Sequence, residues 1–80
     1  MQERILRFPE VKKLSGLSRS TIYARVHEGL FPRPILLGRR MVGWRESEIA
    51  ALNAARVRSE TEDAIRALVE RLERDRRDVA

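Results

Sequence analysis

Arg19, Ser20, Thr21 and Tyr23 stand together at the start of one short amphipathic segment. Their side chains suit contact with a duplex. An arginine fork bridges guanine O6 and N7, and a hydroxyl serves a base edge or a phosphate. A helix N-terminus adds free backbone N–H groups that attract phosphate. Ile22 and Val26, four apart, turn one face of the segment inward, so Ser20, Tyr23 and His27 fall on another face. Such a face is equally what any solvated surface helix presents. Arg39 and Arg40 follow Gly38 between two short apolar runs. Adjacent arginines there suit a narrow minor groove or flanking phosphates. The plainer use is solubility and protection of a hairpin edge. Lys12 and Lys13 lie on the outer side of a preceding segment, where a first helix crossing a DNA backbone would carry them. His27, the single histidine, falls near the negative end of its helix.

Other chemistries lack their residues. With no cysteine and one histidine, neither disulfides nor a thiolate or histidine metal site is expected. The P-loop, nucleophile-elbow and zinc-protease patterns are absent, so neither an enzyme nor a cofactor is expected. The aromatics are only Phe8, Tyr23, Phe31 and Trp44, too few for a single-strand stacking surface. Strand alternation pairs Trp44 with Val42 and sends it to the core.

The elements that position these residues can be read from local signals. Pro9 and Glu10 open a first helix over Pro9 to Ser15, with Val11 and Leu14 inward and Gly16 as its stop. Ser18 caps a second helix over Arg19 to Glu28, which Gly29 ends. A turn of Gly16, Leu17 and Ser18 between two short helices is a helix-turn-helix pattern. Phe31-Pro32-Arg33-Pro34 is an extended link. Ile35 to Leu37 and Met41 to Trp44 read as a hairpin, a wing after the helix-turn-helix. A third helix runs over about Glu46 to Arg56. Ser59 with Glu62 fits a capping box that opens a fourth helix, about Glu60 to Arg77. Its apolar stripe of Ile65, Leu68, Val69 and Leu72 needs a partner, either its own domain or a second subunit. The end, Asp75 to Ala80, is expected to fray.

Charge separates the two parts. Up to Arg45 ten cations face three acids, a net +7; beyond it seven face nine, a net −2. Fifteen of the 17 cations are arginine, a usage that suits phosphate and guanine and that a GC-rich genome also produces. The basic part implies a polyanionic partner. A chain of 80 residues makes one small domain and has a thin core, which argues against a deep substrate cleft. No apolar run reaches the ~18 residues of a membrane span, and no leader-like run opens the chain. A cytoplasmic, nucleoid-associated protein is expected.

Several pieces, in their order and spacing, resemble the AlpA family of phage-type regulators. They are Leu6-Arg7-Phe8-Pro9-Glu10-Val11, Ser15 to Tyr23, Gly29 to Pro34, Leu37-Gly38, and Trp44 to Ile49. The resemblance runs over about Ile5 to Leu52. The family is similar to the winged helix-turn-helix of MerR regulators and phage excisionases. That implies a mostly α fold with a small β-hairpin wing and a DNA-binding domain over residues 1–57. The segment after Asn53 is longer than the family pattern and carries an additional C-terminal helix, over 58–80, on which the resemblance is silent. This helix packs on the domain or mediates dimerisation through Ile65, Leu68, Val69 and Leu72. By the resemblance, Arg19, Ser20, Thr21 and Tyr23 lie on the recognition helix and Arg39 and Arg40 on the wing. A sequence-specific regulator of double-stranded DNA is the expectation, with contact to an integrase or RNA polymerase. An excisionase-like factor that bends DNA is the alternative, and a protein-interaction module such as an antitoxin is a third.

Overall fold

Two strand-to-helix junctions organise the chain, and both use one four-residue device. In Arg7-Phe8-Pro9-Glu10 and Arg45-Glu46-Ser47-Glu48, an extended arginine ends a strand and a glutamate sits at the third helical position. The glutamate accepts the arginine's backbone N–H, at 3.3 Å for Glu10 and 3.2 Å for Glu48. An orphan donor at each helix start is thereby satisfied. Strand β1 (Ile5–Arg7) thus runs straight into α1 (Phe8–Ser15), and β3 (Met41–Arg45) into α3 (Glu46–Val57). The computed structural model describes residues 3–79; Met1, Gln2 and Ala80, at the outer ends of the expected division, lie outside the described residues.

Gly16, at φ 72°, ends α1, and Ser18 caps α2 (Arg19–His27) by accepting the Thr21 amide. The turn between them has the expected length. Helix α2 stops at Gly29, φ 78°, where the Leu30 amide reaches back to the Arg25 carbonyl at 2.8 Å. The end of α3 repeats this stop with Ser59 at φ 56°, and the Glu60 amide bonds the Ala55 carbonyl at 3.1 Å. The expected Ser59–Glu62 capping box is therefore corrected. Ser59 holds the left-handed conformation of a helix stop and cannot also hold the extended conformation of a cap. Thr61 caps α4 (Glu62–Asp75) instead, accepting the Ala64 amide at 3.1 Å.

The fold is mostly helical with a small antiparallel sheet, ordered β1-β3-β2. Strand β2 (Ile35–Gly38) and β3 form the expected hairpin, and an irregularity between Leu36 and Gly38 leaves Leu37 as a bulge. Arg39 and Arg40 make its tip. Strand β1 was not foreseen. Three residues are too few for alternation to register, yet Leu6 opposite Trp44 is fully buried while Ile5 and Arg7 face outward. At the centre of β3, a Cβ on Gly43 would lie 2.7 Å from Ile5 Cγ2 and 2.9 Å from the Leu6 carbonyl oxygen. The strands on either side close over this glycine.

Trp44 is the centre of the core. Phe8 and Phe31 meet it edge-on, at centroid distances of 5.2 and 5.7 Å, and its indole N–H donates to the Pro32 carbonyl at 2.8 Å. Val11, Ile22, Ile49 and Leu52 complete the cluster, whereas Leu14, expected inward, is half exposed. Ile65, Leu68 and Val69 of α4 belong to the same buried cluster, and Leu72 packs against it. The four residues offered for a dimer are thus occupied within the chain. A dimer built on them would have to open this packing.

The residues just after α4 correct part of another expectation. Beyond α4, Arg76–Asp78 form a short 3₁₀ turn rather than a frayed tail. Arg76 makes a two-pronged ion pair with the fully buried Glu48, at 2.6 and 2.9 Å. A buried carboxylate in a thin core demands such a partner.

Candidate nucleic-acid interface

Helix α2 keeps Ile22 in the core and presents Arg19, Ser20, Tyr23 and His27 to solvent. Arg19 rests against aromatic faces. Its guanidinium carbon lies 4.7 Å from the Phe8 ring centroid and 5.9 Å from that of Tyr23. The two rings themselves are 5.4 Å apart. A guanidinium over aromatic faces is attracted by their negative quadrupoles, and its planar fork loses little further freedom on binding. Phe8 acts here as both core residue and platform. Its contact with α2 crosses the turn between the two helices and leaves no local trace in the sequence.

Thr21 is drawn into the cap. Its hydroxyl oxygen accepts from Ser18 Oγ at 2.9 Å, and its side chain is half buried. Ser20 Oγ lies 3.4 Å from the same Ser18 oxygen but remains exposed. Ser20 is therefore the freer hydroxyl of the two.

An open groove of about 590 Å³ runs between α1 and α2, with Lys12, Lys13 and Arg19 along it. The structure thus brings these three cations together. Arg39 and Arg40 stand at the exposed hairpin tip. Among the described residues none of these five cations takes part in an ion pair, whereas Arg4, Arg33, Arg45, Arg58, Arg66 and Arg76 all do. The cations without an acid partner include those of α1, the start of α2 and the wing tip. No carboxylate among the described residues lies within ion-pair distance of any of the five, so no direct pairing offsets their charge. His27 lies apart, at the other end of α2, in a cleft shared with Arg66, Glu70 and Glu73.

The acids, by contrast, hold the fold together. Glu3 accepts from Arg45 Nε at 2.7 Å and from the Ser47 amide at 3.0 Å, and also takes the Ser47 hydroxyl. Burial pushes its carboxyl pKa up, but the hydrogen bonds from Ser47 and Arg45 and the Arg45 charge outweigh that and hold it below its ordinary value. Among the described residues no cluster of three metal-ligating side chains forms, and no helix is long and apolar enough to cross a membrane.

Two short helices joined by the Gly16–Ser18 turn, a β-hairpin, and outward cations without an ion-pair partner among the described residues make up this face of the domain. A family model for the prophage CP4-57 regulatory protein, AlpA, matches residues 4–56, and the chain belongs to that family. It is similar to an uncharacterized protein, ORF88, of Enterobacteria phage P4, with 52% identity over 56 residues. That match covers 70% of this chain and 64% of the phage protein. It is also similar to the DNA-binding transcriptional activator AlpA of Escherichia coli K12, at 40% identity over 52 residues. This second match covers 58% of the chain and 74% of that protein. No solved structure matches the chain.

Proposed function

We propose that this chain is a sequence-specific DNA-binding transcriptional regulator of prophage or genomic-island type. Helix α2 enters the major groove, and Arg19 and Ser20 read base edges from its N-terminal turn, with Tyr23 behind them. Arg39 and Arg40 engage the flanking minor groove or its phosphates. Lys12 and Lys13, along the groove beside α2, contact the backbone.

The observation that carries this reading is the exposed Arg19 at the start of α2, its guanidinium set over Phe8 and Tyr23. The name of the 40% identical relative, a DNA-binding transcriptional activator, supports the same reading. The chain acts as a single domain, because the apolar face of α4 that would pair two copies lies in its own core.

The test is selection of genomic fragments by purified protein at near-physiological salt, with bending assayed on the enriched duplexes. Discrete, base-specific sites with little bending are expected. Clustered direct repeats with strong bending would assign the chain to the excisionase type instead. Failure to enrich any fragment would overturn the DNA-binding reading and favour a protein-interaction module.

A further inference from the structure

Helix α4 lies beyond the residues that the family model matches, and its polar contacts converge on one stretch of backbone. Arg66 Nε donates to the Glu28 carbonyl at 3.0 Å, at the C-terminal end of α2. Glu73 Oε2 accepts the Arg33 amide at 2.8 Å. Arg76 Nη2 donates to the Arg33 carbonyl at 2.8 Å, while the same guanidinium is pinned by the buried Glu48. From the core side, the Trp44 indole holds the Pro32 carbonyl. The segment from Glu28 to Arg33 is the only covalent path from α2 to the hairpin. Backbone groups are the targets in all four cases, so the contacts fix the course of the chain whatever its side chains do.

We propose that α4 and the turn after it form a brace that sets the orientation of the wing relative to α2, with Arg66, Glu73 and Arg76 as its positioning residues. The proposal rests on the DNA-binding reading for its consequence, but the brace itself is a property of the free protein. Arg66 anchors the end of α2, and Glu73 and Arg76 anchor the root of β2. One rigid helix spans both points, held down by Ile65, Leu68 and Val69. Two surfaces that must enter neighbouring grooves at once need a fixed mutual angle, and a preset angle avoids the ordering cost at binding. These three residues touch no DNA themselves. Their effect on recognition passes through the hairpin.

The test compares the wild type with Arg76→Met and with the double variant Arg66→Met/Glu73→Gln. The double variant leaves the Glu48–Arg76 pair intact and keeps the proposal testable if Arg76→Met fails to fold. Residual dipolar couplings on the free proteins report the angle between α2 and the β2–β3 hairpin. Hydroxyl-radical footprinting on the most enriched duplex from the genomic selection reports α2-side and wing-side protection separately. In the variants the hairpin couplings are expected to shift or average while those of α1 and α2 stay. Wing-side protection should fall several-fold with α2-side protection retained. Unchanged couplings would overturn the brace, as would α2-side and wing-side protection falling together in step with stability. If the wild type selects no duplex, the DNA-binding reading fails, and the couplings alone still decide whether the brace exists.

Discussion

The Arg19 guanidinium lies over the Phe8 ring, 4.7 Å from its centroid, so a residue of β1–α1 holds the first residue of α2. At an exposed position such a contact favours this placement of the guanidinium by about 0.5–1 kcal/mol. Replacing Arg19 with Ala is expected to weaken specific binding by roughly 1–3 kcal/mol and to relax preference at one base position. Arg19→Lys should lose much of that preference too, because an ammonium lacks the planar fork. Binding to a panel of single-base variants of the selected site checks both. An affinity and base profile equal to the wild type would remove Arg19 from the interface.

The contact proposed for the wing is of a different kind. Arg39 and Arg40 join no ion pair among the described residues and are fully available to phosphates. With about four to six phosphates neutralised, log K should fall against log salt with a slope of about −4 to −5. The double change Arg39→Ala/Arg40→Ala should flatten that slope by nearly two, at about 0.9 for each lost phosphate. Titrations across a salt series measure it. Weakened binding with an unaltered slope would mean that the pair does not neutralise phosphate.

Glu48 and Arg76 offer a stability test. Glu48 is fully buried, and its partner's side chain is 21% exposed. Removing Arg76 leaves a buried charge without its partner and should cost about 3–5 kcal/mol in urea unfolding. Glu48→Gln/Arg76→Met should lose less than Arg76→Met alone. The neutral amide leaves no charge stranded, and its oxygen still serves the Arg45 N–H. A cost for Arg76→Met within the ~0.5 kcal/mol typical of surface sites would show that the pair adds nothing.

Glu3 predicts a pH dependence of known sign. Its folded pKa lies below the ordinary 4.5, with burial opposed by stronger bonds from Ser47 and Arg45. A depressed carboxylate contributes stability that is fully present above its unfolded pKa and lost as pH falls through the folded one. Below about pH 4.5 the wild type should therefore lose stability more steeply than Glu3→Gln, and above it the difference should be constant. Thermal unfolding from pH 7 to pH 2 measures both curves; parallel curves throughout would sink the assignment.

Gly43→Ala probes the sheet that carries the wing. The added methyl would meet Ile5 Cγ2 at 2.7 Å, the Leu6 carbonyl at 2.9 Å and Leu37 Cδ1 at 3.0 Å. The side chains can shift, but the carbonyl belongs to the β1–β3 ladder. The expected cost is about 1–3 kcal/mol, the range of overpacking. Loss of amide protection at Leu6 would locate the damage; a neutral substitution would show that β1 moves freely.

The division between what was written locally and what was not follows from range. The turn Gly16 to Ser18, the stop at Gly29, the Pro-flanked link and the hairpin around Arg39 and Arg40 were all legible in the sequence. Each depends on the backbone preferences of a few adjacent residues, which act before any tertiary contact forms. The charge asymmetry was legible too, because it is a sum over residues. The stripe of α4 was visible, but not what covers it: an apolar face states that it must be buried and leaves the partner open. Only the folded chain decided that Ile65, Leu68 and Val69 join Trp44 and Leu52 in one core. Only it paired β1 with β3, where three residues gain their stability from a strand some forty positions away. The same holds for Arg19 over Phe8 and for Arg76 on Glu48, 28 positions apart. Such contacts are set by how elements pack, and arginines that look alike along the chain become either paired struts or unpaired cations according to which acid the packing brings near.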